Sequence, residues 1–247
     1  MIMKKLFMLA FSVVIGATGL SAQFFSTTQG TQLFYKSVVT GEEGEKSLKS
    51  TMISVETDAN GVINARAEDV QTDSANPLLD VKTYRNYSYN PETDVTKIVF
   101  MTAEDFKDFV VSMISKGAAA AGQPLSEMDL ADFTKSLTSK GSLEFDIDPK
   151  AAPDTKLPKS TLRLNAGMMS MRANLWEGKF LGTETVTVPA GTYDCIKISY
   201  SMVMSSPEGN EKRNITDWYA KGIGLVKSIE TDKKGNVNSE DVLTEIK

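Results

Sequence analysis

The chain has 247 residues and a formal charge of −5, with 27 Lys and Arg against 32 Asp and Glu, no histidine and one cysteine. The missing histidine excludes Cys–His and Ser–His–Asp catalysis and any imidazole metal site, and a lone cysteine excludes a disulfide within the chain. The acidic balance disfavours a nucleic-acid partner or an anionic membrane face, because either calls for a basic stripe and no run of the sequence supplies one.

Residues 1–22, MIMKKLFMLAFSVVIGATGLSA, set Lys4 and Lys5 ahead of an apolar stretch from Leu6 to Ile15 and a small-residue end, the layout of a secretory signal peptide. That stretch is shorter than the roughly 20 residues that span a bilayer, and no cysteine near Ala22 offers a lipid attachment point. Cleavage is expected after Ala22, with Gly19 as the alternative, giving a periplasmic or secreted product with no transmembrane segment. Residues 23–247 are expected to form a single, mainly β domain able to bury roughly 70% of its unfolded surface.

From Thr31 to Met101 the runs "TQLFYKSVV", "KSLKSTMISVE", "GVINARAEDV", "LDVKTYRNYSY" and "VTKIVFM" read as strands of a meandering antiparallel sheet. "TGEEGE", "TDANG" and "NPETD" supply the turns between them. The period then changes. Phe106, Phe109, Val110 and Met113 recur at helical spacing, with Thr102 and Asp105 as a capping pair. A second helix is expected from Ser126, with Leu130, Phe133 and Leu137 on one side and Gly141 just past its end. The helical segment thus runs over 102–140, and "KGAAAAGQP" within it reads equally as frayed helix or connector. After the strand "GSLEFDI", a Pro-rich stretch over 146–160, with Pro149, Pro153 and Pro158, reads as an extended crossing segment or a domain boundary. Strands resume from Thr161 to the end, punctuated by "PAGT", "SSPEGN", "AKGIG" and "DKKGN". Roughly a dozen strands with two helices make an α+β chain dominated by antiparallel sheet. At least one glycine of Lys221–Gly224 is expected at positive φ.

Candidate sites are few. Cys195 sits in the alternating strand "YDCIKISYSMVM" on the same side as Lys197, Ser199 and Ser201, without a base to activate it, and is read as a packing residue. "ETDANGVIN" from Glu56 and "ETDKKGNVN" from Glu230 are alike and tempt a calcium reading, but their glycine falls at position 4 after the aspartate, so both are read as hairpin turns. The acidic pairs Glu42–Glu43 and Glu104–Asp105 suit a turn and a helix's first turn. What remains is surplus apolar surface. Met168, Met169, Met171 and Trp176 lie close in sequence, Met202 and Met204 follow, and both helices carry aromatic stripes. The ligand-contacting candidates are therefore Phe106, Phe109, Met113, Phe133, Met169, Met171 and Trp176, around an apolar pocket between sheet and helices. No catalytic residue, metal ligand or cofactor is expected.

"TVTVPAGTYDCIKISYSM" and "WYAKGIGLVKSIETDKKGNVNSEDVLTEI" resemble the carboxy-terminal part of small exported bacterial proteins of the TapB-like group, of unknown function, and "FFSTTQGTQLFYKSV" is similar to that group's first strand. The resemblance covers most of the chain beyond the leader and is strongest over 157–246; the stretch 106–137 matches least and reads as an insertion. It implies a fold similar to the open, curved β half-barrels of lipoprotein-carrier and lipoprotein-sensor proteins, with the two helices covering the concave face. Those relatives handle acyl chains. The resemblance thus implies a non-enzymatic envelope protein binding a lipid or other hydrophobic small molecule; the alternative is an envelope protein that docks another protein and has no pocket.

Overall fold

The computed structural model describes residues 22–41, 45–74, 80–166, 169–206 and 209–247, so the leader apart from Ala22, the pair Glu42–Glu43 and Met168 lie outside the described residues. In chain order the elements are β1 (Gln32–Val39), β2 (Lys46–Thr57), β3 (Ile63–Asp73), β4 (Val81–Asn90), β5 (Val95–Thr102), α1 (Ala103–Ala120), α2 (Glu127–Ser136), β6 (Leu137–Ile147), β7 (Ser160–Ala166), β8 (Met169–Val188), β9 (Gly191–Ser206), β10 (Gly209–Ala220), β11 (Gly224–Thr231) and β12 (Val237–Ile246). Each strand pairs antiparallel with its neighbours in sequence, and β1 pairs with β12, so the twelve strands close into a barrel. This corrects the expected open half-barrel. Alternation along a strand reveals which face is buried but not which strand it pairs with, and closure rests on one pairing, β1 with β12, between the two ends of the sequence.

Closure changes what fills the interior. Side chains of the wall itself meet inside, among them Tyr35, Tyr87, Ile98, Phe145, Leu162, Leu175, Ile198, Tyr200, Tyr219 and Leu243, all buried. The expected helical cover of a concave face is therefore also corrected, because a closed barrel of this kind presents no open face to cover. Outward positions such as Arg66, Glu68, Lys82, Arg163, Lys212 and Lys227 carry charge. A membrane-spanning barrel is apolar there. Among the described residues no helix is long and apolar enough to cross a membrane.

One end of the barrel is shut. Residues 23–26 turn into it ahead of β1, with Phe24 and Phe25 1% and 0% exposed. The Phe24 amide donates to Thr96 Oγ1 at 3.2 Å, the Gly222 amide to the Gln23 carbonyl at 2.8 Å, and the Phe25 ring stacks on Tyr87. The tip of the long β8–β9 hairpin reaches past β10 to β12 at the same end, where the Ala190 amide donates to the Leu243 carbonyl at 3.3 Å. Gly222 and Gly224 both take positive φ, 72° and 116°, in the β10–β11 turn, as the "KGIG" sequence predicts. The two look-alike acidic stretches form one turn twice: Asp58 Oδ1 accepts from the Asn60 and Val62 amides, and Asp232 Oδ1 from the Lys234 and Asn236 amides. Each carboxylate is spent on its own backbone, as the hairpin reading requires.

The helices lie between β5 and β6. Thr102 caps α1, its hydroxyl accepting from the Asp105 amide and donating to Asp105 Oδ2, while Asp105 Oδ1 holds Arg66 at 2.6 Å. A capping box of Ser126 and Asp129 opens α2. α1 packs against β4 to β7 and buries Phe106, whereas α2 buries no residue. Leu137, expected on the second helix, instead starts β6, and its buried side chain joins the barrel core. Leu130, Phe133 and Leu137 continue a helical stripe, so the spacing could not mark the switch to strand.

Candidate functional site

The end opposite the plug holds the last residues of β1, β3, β9 and β11 and the first of β2, β4, β10 and β12, and two cavities lie there. The first, about 310 Å³, is lined by Phe106 from α1, Met171 and Arg172 from β8, Met204 to Ser206 from β9 and Gly209 to Glu211 from β10. Of the residues expected to contact a ligand, this cavity brings Phe106 and Met171 together. Phe109, half-buried, stacks on Phe106 with ring centroids 6.5 Å apart; Met113 and Phe133 are half-buried on α1 and α2 and do not line the cavity. Trp176 is on the outer wall, 38% exposed, with Lys159 and Lys212 over its ring. The Met169 side chain lies outside the described residues.

The second cavity, about 500 Å³, is polar. Ser37, Val39, Lys46, Leu48, Gln71, Arg213, Glu230, Ser239 and Asp241 are among its lining residues. Register explains the set: Ser37 faces Asp241 across β1–β12, Ser239 faces Glu230 across β12–β11, and Lys46 faces Ser37 across β1–β2. Arg213 stands at the border of the two cavities. Its guanidinium holds Glu211, of the apolar cavity, at 2.7 Å and Glu230, of the polar one, at 3.3 Å. Partial burial works against its charge, but the two carboxylates outweigh burial and hold its pKa above the ordinary value.

Below the polar cavity the barrel's waist is a network of tyrosines and charges. Arg85 pairs with Asp69 at 3.0 Å, and Tyr35 donates to the Leu225 carbonyl at 2.7 Å. Asp217 accepts from Ser228 at 2.7 Å, Tyr200 at 2.9 Å and Tyr219 at 3.3 Å. Burial still pushes the Asp217 carboxyl up despite those three donors, and it raises Asp241 despite the Ser37 hydroxyl. These groups were not singled out from sequence. The available signal was a charge in the apolar phase of a strand: Asp217 alternates with Ile215 and Tyr219, and Arg85 precedes Tyr87 and Tyr89.

Cys195 is 1% exposed, its thiol directed at the Tyr193 carbonyl at 3.6 Å. Burial, then the nearby Asp194 and Glu184, push its pKa up to about 12. That is opposite to the depression a nucleophilic thiol needs. Iodoacetamide should therefore leave Cys195 unmodified in the native protein and alkylate it readily in urea, followed by mass spectrometry. Labelling at equal rates in both states would overturn the packing role, and Cys195→Ala should cost about 0.5–3 kcal/mol of stability.

The fold and its mouth describe a closed barrel with charged residues on its outer wall, a plugged end and two cavities at the other. Residues 121–243, taking in α2 and β6 through most of β12, match the model of a family described as DUF3108-like. A solved structure from Bacteroides fragilis, carrying the provisional description of an exported protein with a YmcC-like fold, superposes with a TM-score of 0.63 at 19% identity over 91% of this chain and 98% of that one. A second, from Parabacteroides distasonis and provisionally described as a lipoprotein, gives the same TM-score, identity and coverage. At that identity the likeness concerns fold. No curated protein matches the chain.

Proposed function

We propose that the protein is a non-catalytic binding protein of the cell envelope that holds an amphiphilic small molecule, an acyl chain with a polar head, at the mouth of the barrel. The observation that carries this reading is the adjacency of the two cavities across Arg213: Phe106, Met171 and Met204 offer an apolar compartment, and Lys46, Glu230 and Asp241 offer a polar one beside it. An apolar pocket with a few convergent polar groups is the usual form of a small-ligand site. The leader-like sequence agrees with an envelope location, as do the provisional descriptions of the two structural neighbours as exported protein and lipoprotein.

The test is uptake of a fluorescent fatty acid by the purified protein. The wild type should bind it saturably, and Met171→Gln with Met204→Gln should weaken binding about tenfold or more, because two apolar contacts are exchanged for amides of similar size. Thermal unfolding of the same variants checks that the barrel survives. No uptake by the wild type, or uptake indifferent to these changes, would overturn the reading in favour of a protein-docking barrel.

A further inference from the structure

The barrel's register gathers cations that the linear sequence keeps apart. Lys140 on β6 lies directly opposite Arg163 on β7, and Arg163 directly opposite Arg172 on β8. All three are exposed on the outer wall, since the intervening Leu162, Leu164 and Ala173 point into the core. Three positive side chains thus share a span of about 10 Å of sheet. Like charges at directly opposed positions repel, and among the described residues none of the three has an ion pair or side-chain hydrogen bond. The chain's other arginines, Arg66, Arg85 and Arg213, are each ion-paired. Of the wall's acids, Glu177 is held by Lys212 at 2.8 Å, Glu144 by Lys97 at 3.2 Å and Glu184 by Lys197 at 2.9 Å, while Asp146 lies at the far end of β6 from Lys140. On the same wall stands Trp176, exposed, with the Lys159 and Lys212 ammonium groups 5.4 and 5.7 Å from its ring centre.

We infer that this wall of β6, β7 and β8 docks on an anionic lipid surface. Uncompensated Lys and Arg meet the headgroup charge, and Trp176 flanked by lysines suits the headgroup level, where amphipathic rings settle. Charge complementarity carries the choice of occupant: a chain of net charge −5 is repelled by an anionic surface everywhere except where cations stand without acids. Arg172 also lines the apolar cavity, so docking by this wall would bring the barrel's mouth to the membrane. The inference goes beyond the ligand reading and does not depend on it.

Co-sedimentation with vesicles tests it. The wild type should bind vesicles of equal phosphatidylglycerol and phosphatidylcholine, not vesicles of phosphatidylcholine alone, and raised salt should release it. Lys140→Glu with Arg163→Glu should weaken binding about tenfold or more. An equal charge change at Lys233→Glu with Lys234→Glu, in the β11–β12 turn, should change it less than about threefold. Circular dichroism confirms that both variants fold. Equal binding to the two kinds of vesicle, or equal loss in the two variants, would overturn the inference. Binding of polyglutamate but not vesicles would overturn it in favour of an acidic protein partner. Fatty-acid uptake, measured in solution without vesicles, fails or succeeds separately.

Discussion

Replacing both Phe24 and Phe25 with alanine is expected to leave the barrel largely unfolded at room temperature. Each ring is fully enclosed, and truncating a buried phenylalanine costs about 3–5 kcal/mol. Two such losses, even reduced by coupling between neighbours, rival the whole stability of about 5–15 kcal/mol of an ordinary domain. The effect is larger than for most wall positions because these rings sit in a segment ahead of β1, held by single hydrogen bonds to Thr96 and Gly222 rather than by a ladder. Without the rings, the end of the barrel admits water to Tyr87, on which Phe25 stacks. Urea unfolding followed by tryptophan fluorescence measures the loss, and a double variant destabilised by less than about 2 kcal/mol would show that the plug is not part of the core.

The second large effect is expected at Gly141. It lies in β6 with φ of 90°, and a Cβ there would stand 2.1 Å from the Thr161 carbonyl oxygen of β7. No side-chain movement relieves a clash with backbone, so alanine must push β7 away from β6 and break their pairing from Leu137 to Gly141. Gly141→Ala should cost about 3–5 kcal/mol, at the severe end of single substitutions. Gly235→Ala is the control. Its φ is 86° and nothing lies within 4 Å of the added Cβ, so only the left-handed backbone is penalised, by about 1–2 kcal/mol. Equal melting temperatures for the two variants would mean that β6 and β7 can separate at little cost.

Much of the strand pattern was legible because polar and apolar residues alternate cleanly, as in "INARAEDV", and because turn residues such as the Gly222–Gly224 pair announce each reversal. Closure was not legible, since the residues that close the barrel, Leu33 to Val39 and Ser239 to Ile246, alternate like any edge strand. Tryptophan 176 illustrates a second limit: the bulge beginning at Trp176 interrupts the β8–β9 pairing, so "MMSMRANLW" and "KFLGTETVTV" read as two strands where one long bent strand exists. Its outward placement could not be inferred from the neighbouring methionines. The candidate pocket was visible only in its apolar half, through Phe106 and Met171. The polar half is assembled from Lys46, Arg213, Glu230 and Asp241 on four strands, and such a set becomes a group only once strand order and register are known.

The seam between β1 and β12 also sets a timetable. Its side chains meet across nearly the whole chain, as in the contact of Ser37 with Asp241, 204 positions apart, and contacts so remote in sequence form slowly because the intervening loop must first be closed. A chain made amino end first presents β1 as a bare edge until β12 has followed it. For that interval the strand is open to pairing with other chains. The barrel therefore asks for protection while it folds that its finished form no longer needs.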